Sequence, residues 1–158
     1  MVRNATPDDF AAVQALYRQL LEFEANDLGH NVNPEFANTD YGIECLRGFV
    51  ADNVGTMAVV YEGTDGVVKG YASLRDVPAQ EVAHKNNVKQ CEIETMCVDA
   101  SCRDQGIGKQ LIAECKRIAI ENGYNNLKIV TLVNNDRAKK LYQSCGFENR
   151  EIIMEMDI

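Results

Sequence analysis

Between Cys91 and Asn122 the chain changes its repeat once, and that change limits what it can fold into. Cys91 to Val98 is a β-rich run, a short polar turn follows, and a helical pattern runs from Gly108 to Asn122. Leu111, Ile112, Cys115, Ile118 and Ala119 recur at helical spacing and define a buried face, and Gly123 supplies a C-terminal stop. A strand feeding a helix in this way belongs in a layered α/β fold. The turn between them holds Gly106-Ile107-Gly108. Glycines there permit unusual backbone angles and close approach of a ligand, and the amides at a helix start favour a phosphate.

The remaining segments supply partners for this unit. Val2 to Ala5 reads as a short strand. Thr6-Pro7-Asp8-Asp9 then combines an N-cap, a proline at the first helical position and an acid three residues on. Phe10, Val13, Leu16, Tyr17, Leu20 and Leu21 follow at helical spacing, before a polar stretch from Glu22 to Tyr41. A second helix is expected over Gly42 to Asp52. Thr56 to Glu62 and Val67 to Arg75 flank Gly63-Thr64-Asp65-Gly66 as a hairpin, and Val77 to Gln90 is a polar loop. Leu127 to Val133 reads as a strand, and Asp136 to Ser144 as a helix stopped by Gly146. A last strand is expected in REIIMEMDI, with Ile152, Met154 and Met156 on one face and Ile153, Glu155 and Asp157 on the other. With no repeat or linker, residues 1–158 read as a single mixed α/β domain.

Composition narrows the function. A formal charge of −8 over 158 residues argues against a nucleic-acid partner, which would need a basic face. It suits a cationic small molecule or peptide, and equally a merely soluble surface. The six cysteines form no C-x-x-C pair, and His30 and His84 lie in polar loops without ligand spacing, so no metal is expected. Scattered thiols, no apolar signal core and no membrane-length run point to a soluble, cytoplasmic protein without a membrane partner.

The glycine turn has rival owners. A P-loop needs lysine then Ser or Thr after its second glycine, and here Gly108 precedes Lys109-Gln110. A dinucleotide fingerprint needs a third glycine where Leu111 stands. A pyrophosphate still fits, because Arg103 and Lys109 flank the turn with positive charge.

Arg103-x-x-Gly106-x-Gly108, after the strand IETMCV, resembles the acetyl-CoA signature of the GNAT (GCN5-related) superfamily of N-acetyltransferases. Asn135-x-x-Ala138-x-x-Leu141-Tyr142, followed by Gly146-Phe147, resembles that family's second cofactor-binding helix and the turn after it. The opening VRNATPDDF is similar to its first strand and helix start. The strongest likeness covers residues 92 to 147, with Ala100 where many relatives carry proline.

The resemblance implies a GNAT acyl-CoA N-acyltransferase fold, a mixed and mostly antiparallel sheet with helices on both sides. It implies that the backbone of Met96, Cys97 and Val98 receives the pantetheine arm like an added strand. Arg103, Asp104, Gln105, Gly106, Ile107, Gly108 and Lys109 would wrap the pyrophosphate, and Asn135 would reach the arm from the last helix. Tyr142 matches the family's general acid, a phenol that protonates the departing thiolate.

An amine acceptor must also lose a proton, for which a carboxylate is the usual means. Strand alternation places Glu92, Glu94, Met96 and Val98 on one face and Ile93, Thr95 and Cys97 on the other. Glu94 is the first choice of base, with Glu92 in reserve or as a partner in amine binding. Cys97 has no histidine near it in sequence, and direct transfer needs no covalent enzyme. The acidic run Glu22, Glu24, Asp27, Glu35, Asp40 and Glu44 falls where the family builds its acceptor pocket. The expected reaction moves acetyl from acetyl-CoA to a primary amine of a small molecule or peptide. A non-catalytic acyl-CoA sensor is the alternative, and a homodimer is left open by the family's habits.

Overall fold

The computed structural model describes residues 1–51 and 56–156, so the expected helix end at Asp52 and the last two residues of the expected final strand lie outside the described residues. Five strands form one sheet in the order β1-β2-β3-β4-β5: β1 Val2–Asn4, β2 Thr56–Glu62, β3 Val68–Asp76, β4 Gln90–Val98 and β5 Asn126–Ile129. The first four are antiparallel to their neighbours, and β5 runs parallel to β4. Helices α1 (Phe10–Asn26) and α2 (Asp40–Val50) cover one face, and α3 (Ile107–Glu121) covers the other beside α4 (Asp136–Ser144). The expected architecture is the one observed.

Each face has its own core. Val13, Leu16, Leu46 and Val50 of α1 and α2 pack on Val60, Tyr71 and Cys97 of the sheet. Leu111, Ile112, Cys115, Ile118 and Ala119 of α3, the face expected from spacing, pack on Val59, Ala72, Leu74, Cys91 and Ile93. At the first turn, Asp9 accepts from the Thr6 amide at 2.8 Å and pairs with Arg3 at 2.8 Å. The Arg3 guanidinium holds the Asp9 carboxyl below the usual carboxylate range despite its burial.

The regular alternation expected along β4 does not hold. Ser73 pairs with Thr95 but Leu74 pairs with Ile93, so Glu94 is an extra residue with no partner on β3. This β-bulge reverses the facing of everything after it. Cys91, Ile93, Met96 and Val98 lie toward α3, while Thr95 and Cys97 lie toward α1. The buried Ser73 hydroxyl bonds the Thr95 hydroxyl at 2.8 Å and accepts from its amide at 3.2 Å, stitching the strand just past the bulge.

Three boundaries also differ from expectation. α1 continues from Leu21 to Asn26, its exposed side stabilised by an Arg18–Glu22 pair at 3.0 Å one turn apart. β5 stops at Ile129 rather than Val133, because β4 bends away from it at the bulge. Residues 148–156 form no strand: their apolar alternation is real, but strand structure needs a paired neighbour and this chain gives them none. Among the described residues no helix is long and apolar enough to cross a membrane.

Candidate active site

The bulge creates the site. β4 and β5 pair from Gln90 and Asn126 up to Ile93 and Ile129, and there the pairing ends. β4 runs on to Val98, so the two strands fork. Between them opens a cleft of about 600 Å³, walled by Met96, Cys97 and Val98 on one side and by Ile129, Val130 and Thr131 on the other. Beyond Ile93 the open side of β4 pairs with no strand among the described residues, an edge suited to a ligand that pairs as a strand.

The glycine turn closes one end. Asp99 accepts from the Ser101 amide at 2.9 Å and from Gln19 of α1 at 3.0 Å, which fixes the strand exit. Asp104 (φ 64°) and Gly106 (φ 78°) then turn the chain through left-handed conformations so that α3 begins at Ile107. The amides of Ile107, Gly108 and Lys109 open the helix without acceptors one turn back, and these three residues line the cleft. The two glycines turn out to do different things. Gly106 supplies the left-handed angle, whereas Gly108 lets α4 approach, since a Cβ there would lie 2.9 Å from Leu141.

Positive charge surrounds this end. Arg103 donates to the Val98 carbonyl at 3.3 Å and lies over the Phe23 ring at 5.3 Å. Lys109 is joined by Arg137 and Lys140 of α4, two cations that the motif does not specify. Arg137 also pairs with Asp104 at 2.9 Å, fastening the turn to α4. Asn135 lines the cleft and caps α4, its side-chain oxygen accepting from the Ala138 amide at 3.1 Å. Gln105 sits exposed on the turn and does not border the cleft.

The other end carries the ionisable groups. Tyr142 of α4 meets Phe147 edge-on at 6.0 Å, and burial pushes its phenol up to about 12, with Glu24 and Cys97 adding to the shift. Glu94 lines the cleft from the bulge. Partial desolvation raises its carboxyl above the ordinary value, Arg75 opposes that shift, and Glu92 adds to it. Glu92, the reserve base, is elsewhere. It is buried and bound by Arg75 at 2.6 Å and Lys128 at 3.6 Å, and it does not border the cleft. Such a carboxylate is committed to structure.

Cys97 borders the cleft. Its thiol turns into the α1 core, where burial pushes it up to about 12. Such a thiol is protonated and a poor nucleophile.

Sequence reasoning left Glu24 inside an acidic run, yet α1 carries it into the cleft beside Leu20 and Phe23. It stands 3.4 Å from His30 and close enough to Tyr142 to raise its phenol. The signal was available: Glu24 follows Tyr17 and Leu20 at helical spacing, a charge on an otherwise apolar stripe. Among the described residues no group of three or more His, Cys, Asp and Glu is arranged to hold a metal ion.

A forked sheet with a glycine turn at one end defines an acyl-CoA-type transferase architecture, and comparison with known proteins agrees. A sequence model of the Acetyltransferase (GNAT) family matches residues 11–147, and the chain belongs to that family. GCN5-related N-acetyltransferase 7, a chloroplastic protein of Arabidopsis thaliana, is 36% identical over 56 residues. That match takes in 35% of this chain and spans only a fifth (20%) of the relative's length. A mutant of the BH1408 protein of Bacillus halodurans superposes with TM-score 0.86 at 21% identity, over 100% of this chain and 99% of that one. AAC(6')-Iy, solved in complex with a bisubstrate analog, superposes with TM-score 0.75 at 20% identity, over 100% of this chain and 97% of that one. An aminoglycoside acetyltransferase from an uncultured soil metagenomic sample, in complex with sisomicin, gives TM-score 0.70 at 18% identity, over 100% and 94% of the two chains.

Proposed function

We propose that the protein transfers acetyl from acetyl-CoA directly to a primary amine of a cationic small molecule or peptide. The observation that carries this is the fork: a strand edge open to the pantetheine arm ends at a cleft where Glu94, Tyr142 and Glu24 converge. The cationic turn with its unpaired amides suits the pyrophosphate, and the unpaired edge of β4 suits the amide-bearing arm.

In the proposed reaction Glu94 accepts a proton from the bound ammonium, directly or through a water. The freed amine nitrogen attacks the thioester carbonyl, the C–N bond forms and the C–S bond breaks. Tyr142 gives its proton to the departing thiolate, and the second nitrogen proton, shed as the amide forms, passes through water to restore the phenol. Main-chain amides at the fork support the oxyanion. Glu24 attracts the positive charge of the acceptor from the α1 side. All six cysteines are free, so we place the reaction in a reducing compartment.

The test is release of coenzyme A thiol from acetyl-CoA across polyamines, aminoglycosides, amino acids and peptides. Saturable turnover with dicationic amines, and weaker turnover with neutral ones, is expected. Saturable acetyl-CoA binding without turnover on any acceptor would instead make the protein an acyl-CoA sensor.

The turn gives a separate prediction. In Gly106→Ala a Cβ is forced into a left-handed conformation that costs about 1 kcal/mol. The KM for acetyl-CoA is expected to rise about fivefold while kcat changes less. Steady-state kinetics at saturating acceptor measure both.

A further inference from the structure

One row of charges in the sheet has no part in the proposed reaction. Arg75 on β3, Glu92 on β4 and Lys128 on β5 are direct partners in the strand register. Cation, carboxylate and cation therefore stand side by side across the sheet. Arg75 meets Glu92 at 2.6 Å, and Lys128 approaches it at 3.6 Å. Glu92 is buried. A buried ion pair is a poor stabiliser, because desolvation offsets most of the attraction. Its position calls for another reason.

The row lies directly behind the bulge. Glu92 precedes Glu94 by two positions, about 7 Å on a strand, and Glu94 is the residue that the ladder leaves unmatched. Desolvation disfavours the ionised form of the Glu94 carboxyl, Arg75 favours it, and Glu92 adds a weaker opposition. No other neighbour can replace the arginine. α1 presents Tyr17 and Glu24, α4 presents Tyr142, and the loop after β3 presents Glu81, itself 3.9 Å from Arg75. None of these is a cation. Arg103, Lys109, Arg137 and Lys140 belong to the glycine-turn end of the cleft.

An untethered guanidinium beside Glu94 would meet the opposite difficulty. Arginine pairs with a carboxylate through two parallel hydrogen bonds, which would occupy both oxygens of a base. Here the short bond to Glu92 keeps Arg75 occupied. We propose that Arg75 is a positioning residue for Glu94, held by Glu92 and Lys128 where its charge favours the Glu94 carboxylate while its hydrogen bonds go elsewhere. The inference rests on the reading of Glu94 as the base. The row keeps that base ionised at neutral pH and leaves its oxygens open to the acceptor.

The two charges act in opposite directions, which a merely structural pair would not do. Arg75→Gln removes the favouring charge, so the midpoint of the Glu94 titration is expected about one pH unit higher. Glu92→Gln leaves Arg75 and Lys128 without their shared carboxylate, so the midpoint is expected to fall by a similar amount. Glu92→Gln keeps the side-chain shape and strands only cations already 29% and 39% exposed, so it carries the test even if Arg75→Gln does not fold.

The titration is read by isotope-edited NMR of side-chain carboxyls in the full chain with labelled glutamate, the Glu94 signal being the one lost in Glu94→Gln. A midpoint that stays in place in either folded variant, or moves against these directions, overturns the proposal. The pH dependence of kcat/KM for acetyl transfer is measured alongside, and its acid limb is expected to follow the carboxyl. The carboxyl titration needs no turnover. If its midpoints move as expected while the acid limb does not follow, the row stands and Glu94 is not the base.

Discussion

Tyr142→Phe is expected to lower kcat about 100-fold while the dissociation constant for acetyl-CoA stays within twofold. The substitution removes one oxygen. The ring still meets Phe147 and still covers the α3-side core, so packing at α4 is retained. What is lost is the proton that, in the proposed reaction, goes to the departing thiolate. Burial pushes the Tyr142 phenol up to about 12, with the Glu24 carboxylate adding to it. The group is therefore protonated throughout the range in which an enzyme of this kind works, and it gives its proton only to a stronger base than water. Turnover and equilibrium binding measured on the same preparation separate the two quantities. An unchanged kcat would remove Tyr142 from the mechanism and leave the thiolate to be protonated by solvent.

Glu94→Gln is expected to lower kcat/KM at pH 7 about 30-fold and to change the shape of its pH dependence. Desolvation raises the Glu94 carboxyl above its ordinary value, Arg75 only partly opposing that shift. In the proposed reaction the working form is the deprotonated one, so activity is expected to rise as pH climbs through the ionisation of Glu94 and then to level. With glutamine in place that limb disappears. The acceptor must then arrive already neutral, and activity should climb instead toward the amine's own ionisation near pH 10. The exposed position of Glu94 makes the variant a fair probe, since unfolding should not accompany it. Identical pH profiles for the two proteins would move the base to Glu24 or to water.

Much of this was legible in the chain. The α3 face, the hairpin, the glycine turn and the α4 motif each announce themselves by local period or spacing, and local signals need no knowledge of the rest of the fold. What escaped was non-local. Alternation along β4 predicts Glu92 and Glu94 side by side on one face. A bulge depends on how β3 meets β4, which no window on β4 alone contains. The same bulge explains why Glu92 went to Arg75 and Lys128 while Glu94 went to the cleft. Gly108 resembled a ligand-facing glycine because its partner, Leu141, lies far along the sequence. The final strand was misjudged for a related reason: residues 148–156 have a strand's pattern, but only an edge to lie against can make them one.

The unmatched residue in β4 acts as a parity bit. The α1-side core takes Cys97 and the α3-side core takes Met96 and Ile93 only because one residue is skipped between them. Were Glu94 paired in the ladder like its neighbours, the odd and even residues beyond it would trade places, sending a methionine where a cysteine fits. That position is therefore kept out of the ladder by both cores, while its side chain, standing outside either, is fixed by neither. Substitution there leaves both cores as they are, so the scaffold holds a cleft-lining position constant in place and free in kind.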